Sequence, residues 1–376
     1  MHHKQTSTLH KTRTAHLLQR ISCVVILALI AVFTSLRPVN NWDSVAYTAC
    51  LLRLSGTPET ELRGATYERI KESVDGQTFY QLIAGPIRST TYQDDQAFRE
   101  AIQLHQNRFA YIGFASLLHQ IGLHPVRSLY LASWLMGVAG MMLLGVTFAS
   151  KVDAHMQFAF VLGLLFSGVI PVLHLATPDA AAFLGWALIA WFYSRRKSGL
   201  FLLAPLLPLL RPDMILASML ILVSVGYRPG CRLNAGLSML SSLGVFWVLQ
   251  TLSGSPGWSV YFHHAFIHMT PYPVSHGDSF GWTEYLRAVA HGVLALEIKL
   301  SIALVIFLGV MRVSWVPLKN HAAGLVYACV FYTCLHFLFF PTGEARFYAG
   351  PLTLIIGCLV NHHVTNGTFG DSRLSD

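Results

Sequence analysis

VRSLYLASWLMGVAGMMLLGVTFAS, residues 126–150, holds a single charged side chain, Arg127, in a run long enough to cross a lipid bilayer. A helix rises about 1.5 Å per residue, so roughly 20 apolar residues match a hydrocarbon core of about 30 Å. The stretch therefore reads as a transmembrane helix. Working outward, further apolar runs fall near residues 17–36, 155–174, 178–194, 199–210, 212–227, 233–252, 290–311, 322–340 and 346–360. The expected fold is an all-α polytopic integral membrane protein with about ten transmembrane helices. Runs 199–210 and 212–227 are short, and Pro205, Pro208 and Pro212 fall among them. Broken helices and clean spans both fit that region.

Composition agrees. Of 376 residues, 53% are hydrophobic and 12% charged, and the mean hydropathy is +0.50. A soluble domain carries about a quarter charged residues. The net charge of +8 does not indicate a nucleic-acid partner. The basic residues are scattered between apolar runs, with no basic stripe and no nucleic-acid motif. The six cysteines, Cys23, Cys50, Cys231, Cys329, Cys334 and Cys358, form no CxxC pair and read as small apolar residues. Lys4, Lys11, Arg13 and Arg20 precede the first apolar run, and Arg37-Pro38-Val39-Asn40 follows it without a small-x-small cleavage site. That pattern predicts an uncleaved anchor.

Cytoplasmic loops collect Lys and Arg. Arg195-Arg196-Lys197, Arg228 with Arg232, Arg312 with Lys319, and the basic N-terminus are therefore placed inside. These assignments agree only if RFAYIGFASLLHQI, residues 108–121, does not cross, so it is expected as an amphipathic helix on the outer surface. The layout is a single membrane domain over 1–376, with cytoplasmic tails at 1–16 and 361–376. An outer loop spans 37–125 with its surface helix near 108–121, and a second outer loop spans 253–289. The expected location is the bacterial inner membrane with both termini in the cytoplasm. The segment 37–107 carries turn signals at Ser55-Gly56-Thr57-Pro58 and Asp75-Gly76. Loops this long are functional or disordered, and their recurrent aromatic residues argue against disorder.

Nine of the 18 acidic residues lie in 37–107. Asp43 stands apart, because Asn40-Asn41-Trp42-Asp43-Ser44-Val45-Ala46-Tyr47 follows the first span directly. A carboxylate at the membrane face, beside the interfacial rings Trp42 and Tyr47, could deprotonate an acceptor hydroxyl. It could equally cap a helix. Thr177-Pro178-Asp179, Arg211-Pro212-Asp213 and Gly343-Glu344-Ala345-Arg346 each put charge at the outer start of a span. Pro followed by an acid is an ordinary helix N-terminus, which accounts for Asp179 and Asp213 equally well. Arg211 and Arg346 oppose the helix dipole there, and a guanidinium in that place suits phosphate. Asp179, Asp213, Glu344 and Tyr47 complete the candidate substrate-binding set. In the second outer loop, His264 and His268 have the i, i+4 spacing of metal ligands, but no HExxH accompanies them and interfacial histidines fit as well. No metal ligands are assigned. A divalent cation is the one cofactor left open.

The order of these features resembles the GT-C superfamily of glycosyltransferases, in particular its protein mannosyltransferase and aminoarabinose-transferase branch. Asp43 lies early in the outer loop. Arg108 to Ile121 is then followed by Gly122-Leu123-His124-Pro125-Val126-Arg127-Ser128, similar to the family's surface helix and Gly turn into the second span. Thr177-Pro178-Asp179-Ala180-Ala181 matches an acid at the outer start of a later span. The likeness is best over residues 37–195. It departs at Ser44, where many members carry a second acid, and at Gln106-Asn107-Arg108, where many have a proline-rich entry. The resemblance implies an inverting transfer of a sugar from a polyprenyl-phosphate donor to a glycan, lipid or protein acceptor, with Asp43 as catalytic base.

The alternatives are a multi-pass transporter or lipid flippase, and a noncatalytic envelope-assembly protein. Transport calls for internal repeats and mid-membrane polar groups. The chain shows no repeat, and Glu297 and Lys299 are its clear intramembrane charges. An enzyme calls for an outer cavity joining Asp43, Arg211 and Arg346, whereas a transporter calls for access from both sides.

Overall fold

A computed structural model of the chain describes residues 21–36, 38–148, 154–195, 198–228, 230–276, 279–295 and 321–370. Several sequence readings lie outside these residues: the tail 1–16, Arg196, Lys197, Asp278, Glu297, Lys299, most of the expected span 290–311, Arg312 with Lys319, and residues 371–376. Among the described residues the regular structure is helical, and the one β feature is an isolated parallel bridge between Val39 and Leu175.

Helix α1 (Ile21–Ser35) leads into a group of short helices, α2 (Asp43–Leu54), α3 (Leu62–Ser73), α4 (Gly76–Ile83), α5 (Pro86–Gln93) and α6 (Asp95–Gln103). The segment 37–107, read from sequence as a polar loop, thus folds as five helices. Apolar residues at helical spacing explain them: Leu62, Tyr67 and Ile70 are buried on α3, and Phe98, Ala101 and Ile102 on α6. The two turn signals act as read. Gly56 adopts φ 91, and the Asp75 carboxylate caps α4 by accepting from the Gln77 and Thr78 amides.

The expected surface helix is α7 (Phe109–Gln120). It buries Tyr111, Ile112, Ala115 and Ser116 against α2 and α8 (Pro125–Phe148), and leaves Leu117 59% exposed. The bundle continues with α9 (Ala154–Phe166), α10 (Val169–His174) and α11 (Asp179–Ser194). α12 (Gly199–Leu210) is interrupted by a 3-10 turn at Ala204–Leu206, where Pro205 removes a backbone donor. α13 (Met214–Gly226) is uninterrupted, so of the two short runs only the first is broken. α14 (Arg232–Ser253), α15 (Trp258–Phe262), α16 (Trp282–Leu294), α17 (His321–Phe339) and α18 (Ala349–Gly370) follow.

By length and composition, α8 and α14 are the two helices among the described residues able to cross a membrane. Six further apolar helices have 10–17 residues. Burial on α14 runs opposite to that of a water-soluble helix. Leu233, Leu237, Leu240, Trp247 and Leu252 are exposed, while Ser238 and Ser242 are buried. Those serines join neighbouring helices, Ser238 Oγ donating to the Phe201 carbonyl at 2.8 Å and Ser242 Oγ meeting Ser218 Oγ at 2.9 Å. α1 likewise buries Cys23, Leu27 and Ala31 along one stripe and exposes Val24, Val25, Leu29 and Val32. At Gly140 the backbones of α8 and α11 approach closely, since a Cβ there would lie 3.2 Å from the Leu184 Cα.

Among the described residues three apolar clusters result. One fills the bundle, a second joins α2, α3, α6 and α7 to the ends of α8 and α11, and a small third centres on Tyr348 and Leu352. Met136 and Leu210 pack against the first two, and Arg211 follows Leu210 directly in the chain.

Candidate functional site

Arg211 precedes Pro212, and a residue before proline is driven out of the helical region. Its backbone is extended, at φ −160 and ψ 132, so the chain leaves α12 and turns before α13 begins. The side chain is 5% exposed. Its Nε and Nη2 donate to the two oxygens of Asp213, each at 2.6 Å, and Nη1 donates to Asp179 Oδ1 at 2.6 Å.

Asp179 opens α11 and is held from behind. Ser133 Oγ donates to the Thr177 carbonyl at 2.7 Å, and Thr177 Oγ1 donates to Asp179 Oδ2 at 2.9 Å. The Val39 amide donates to the His174 carbonyl at 3.0 Å, tying the start of the Asp43 segment to the same turn. Asp213 also accepts from Tyr332 Oη at 2.9 Å and faces His336 Nε2 at 3.1 Å. Tyr332 and His336 stand one helical turn apart on α17 and point the same way.

Arg346 is carried by the 3-10 turn Ala345–Tyr348. Gly168, at φ +92, lets that turn pack closely, because a Cβ there would sit 2.8 Å from the Ala345 carbonyl carbon. Arg346 Nη1 reaches Asp179 Oδ2 at 3.3 Å, and Nε reaches Glu344 Oε2 at 2.5 Å. The Phe347 ring packs near both guanidinium groups, its centroid 5.4 Å from that of Arg211 and 4.8 Å from that of Arg346.

Asp43 extends the cluster outward. It is the first residue of α2, but its carboxylate takes no backbone amide, and the N-cap position belongs to Trp42. The helix-capping reading of Asp43 is thereby corrected: the side chain turns away from the helix end. Oδ2 accepts from Asn41 Nδ2 at 2.9 Å, and Oδ1 lies 3.7 Å from His105 Nε2. His105 is oriented by its other nitrogen, which donates to the Ala101 carbonyl at 2.9 Å. The Asp43 side chain remains 33% exposed. Burial pushes its carboxyl up, but the hydrogen bond and charge of His105, the charge of Arg346 and the Asn41 contact outweigh it, holding Asp43 below the usual carboxylate range. Tyr47, one turn along α2, packs edge-on against His105 with ring centroids 5.1 Å apart. Burial raises its hydroxyl above the ordinary tyrosine range.

Asp179, Asp213, Arg211, Arg346 and Glu344 thus form one bonded network, and Asp43 lies beside it within the field of Arg346. Arg211 and Arg346 do share a site, but what they share is Asp179. Sequence reasoning missed His105, Tyr332 and His336. Tyr332 and His336 left a signal, a polar i, i+4 pair inside an apolar run, where polar groups are costly. His105 left none. In the segment 253–289, a π-helical turn at His263–Ile267 breaks the register of His264 and His268, and His264 Nδ1 accepts from the Thr270 amide at 3.5 Å. Among the described residues no group of three His, Cys, Asp or Glu side chains is arranged for a metal ion. A depression of about 320 Å³, lined by Arg63, Tyr67, Glu68, Lys71, Phe79 and Tyr92, lies apart from this cluster.

No protein-family model, curated protein or solved structure matches the chain.

Proposed function

We propose that the chain is a multi-pass membrane enzyme of GT-C type, moving a sugar from a polyprenyl-phosphate donor to a glycan, lipid or protein acceptor at the outer face of the bacterial inner membrane. The observation that carries the reading is the contrast between Asp43 and the other acids. Asp179 and Asp213 are committed to buried ion pairs, whereas Asp43 is one-third exposed, ionised, and flanked by a histidine. An inverting transfer needs such a base, able to take a proton from the acceptor hydroxyl as the anomeric carbon is attacked. Membrane embedding is supported by the inverted burial on α1 and α14, with large apolar side chains outward and hydrogen-bonded serines inward. The lateral helix α7 and the helical segment before it would then rest on the outer surface, with Asp43 at headgroup level.

The test is Asp43→Asn, scored for sugar transfer and for membrane abundance together. Because Asp43 caps nothing, the variant keeps its size and its neighbour Asn41. Loss of a general base predicts a fall of about 100- to 10,000-fold in turnover with abundance unchanged. Transfer within a few-fold of wild type would remove Asp43 from the chemistry. Accumulation of a lipid-linked intermediate in a deletion strain identifies the donor.

A further inference from the structure

Helix α3 carries Arg63, Tyr67 and Lys71 at successive i, i+4 positions, with Gly64 and Glu68 beside them, so these five residues share one face. That face, with Phe79 of α4 and Tyr92 of α5, walls the cavity of about 320 Å³. Small-molecule sites begin at about 300 Å³ and pair apolar walls with a few placed polar groups.

The walls here are aromatic. Tyr67 and Tyr92 meet edge-on with ring centroids 4.7 Å apart, and Phe79 stands edge-on to Tyr92 at 6.4 Å. Rings at right angles make a corner rather than a closed stack. The corner is braced by Arg63, whose Nη1 donates to the Tyr92 carbonyl at 2.6 Å and whose Nε donates to Asp95 Oδ1 at 2.5 Å.

Polar groups on this face have capacity to spare. Tyr67 is 4% exposed, and its hydroxyl is buried without a hydrogen-bond partner among the described residues. Folded proteins seldom leave a buried donor unused. Arg63 Nη2 makes no hydrogen bond among the described residues. Gly64 keeps the space open, since a Cβ there would meet no atom within 4 Å.

The charges on this face balance. Asp95 neutralises Arg63, and Lys71 and Glu68 carry opposite signs. A balanced face does not select an anion. It offers donors at Arg63, Tyr67 and Lys71 and an acceptor at Glu68, which suits hydroxyl groups, since each of these both donates and accepts. The negative faces of aromatic rings attract polarised C–H bonds. A ring with C–H faces and a rim of hydroxyls is a saccharide.

We propose that the cavity between α3, α4 and α5 binds a saccharide unit, with Phe79 and Tyr92 against its ring and Tyr67, Arg63 and Glu68 on its hydroxyls. The assignment rests on the glycosyltransferase reading only for the role of that ligand, an acceptor glycan held at a unit away from the one that reacts at Asp43.

Binding is read on the full chain in detergent by saturation-transfer NMR. The methyl glycosides of glucose, galactose, mannose and N-acetylglucosamine, and inorganic phosphate, are separate probes. At least one glycoside is expected to bind. Tyr67→Phe removes a hydroxyl that no described residue uses, and should weaken that binding about 2- to 10-fold, the value of one hydrogen bond. Gly64→Leu should abolish it by filling the cavity, with the thermal midpoint unchanged because the added side chain enters open space. Binding of no glycoside overturns the proposal, and so does glycoside binding that both variants leave unchanged. Phosphate binding without glycoside binding, lost in Gly64→Leu, makes this an anion site and overturns the saccharide assignment. The Asp43→Asn protein should bind the glycoside as wild type does, so the cavity and the Asp43 reading stand or fail separately.

Discussion

Replacing Arg211 by Met tests whether the buried network is held by its central cation. The substitution keeps an unbranched side chain of similar reach and leaves Asp179 and Asp213, 4% and 15% exposed, without their shared partner. Removing one member of a buried ion pair costs about 3–5 kcal/mol, because the remaining charge stays desolvated. Here the orphaned groups keep some support. Asp179 retains Thr177 at 2.9 Å and Arg346 at 3.3 Å, and Asp213 retains Tyr332 at 2.9 Å and His336 at 3.1 Å. The expected loss therefore falls at the lower end, about 3 kcal/mol. Asp213→Asn should cost less, since Arg211 keeps Asp179. The double variant Arg211→Met with Asp213→Leu should recover part of the loss, because an apolar replacement of a buried pair is often neutral. Thermal unfolding of the purified protein in detergent, followed by tryptophan fluorescence, reads all three. An Arg211→Met protein that unfolds with wild type, or a double variant worse than the single, would refute a stabilising role for the network.

Arg346→Lys should lower transfer several-fold with a small effect on stability, because an ammonium cannot span Glu344 and Asp179 as the guanidinium does. Unchanged kinetics would show that the charge alone suffices. Burial, with the charges of His105 and His263, lowers His264 from 6.5 to about 4. The unfolded chain takes up that proton first, so stability is fully present above pH 6.5 and falls as the pH drops toward 4, by at most roughly 3 kcal/mol. His264→Gln should flatten unfolding-versus-pH curves across this window, and an unaltered slope would count against it. Reporter fusions after residue 230 should read cytoplasmic, and those near residues 70 and 270 external. Reversed signals would overturn the orientation.

Several helices were readable from local pattern. The run 126–150 became α8, the weakly amphipathic stretch 108–121 became α7, and the prolines near 205 marked a real interruption. Charge at the starts of apolar runs also pointed to residues that meet in space. The helices of 37–107 were hidden, because each is short and its apolar contacts come from partners elsewhere in the chain, such as Ile102 of α6 and Tyr111 of α7 in one core.

Composition and hydrophobic periodicity determine the helical class, since both are sums over neighbouring residues. They also single out Asp43, Arg211 and Arg346, because charge beside an apolar run is conspicuous wherever the chain goes next. What each charge does depends on which others it meets, and those lie far apart in sequence. Asp179 and Arg211 are separated by 32 positions and Asp213 and Tyr332 by 119, yet they touch at 2.6 and 2.9 Å. Coulomb energy falls with distance through space and takes no account of distance along the chain. A guanidinium bonded to two carboxylates and one free to meet a ligand look alike in sequence, and folding alone commits Arg211 to Asp179 and Asp213.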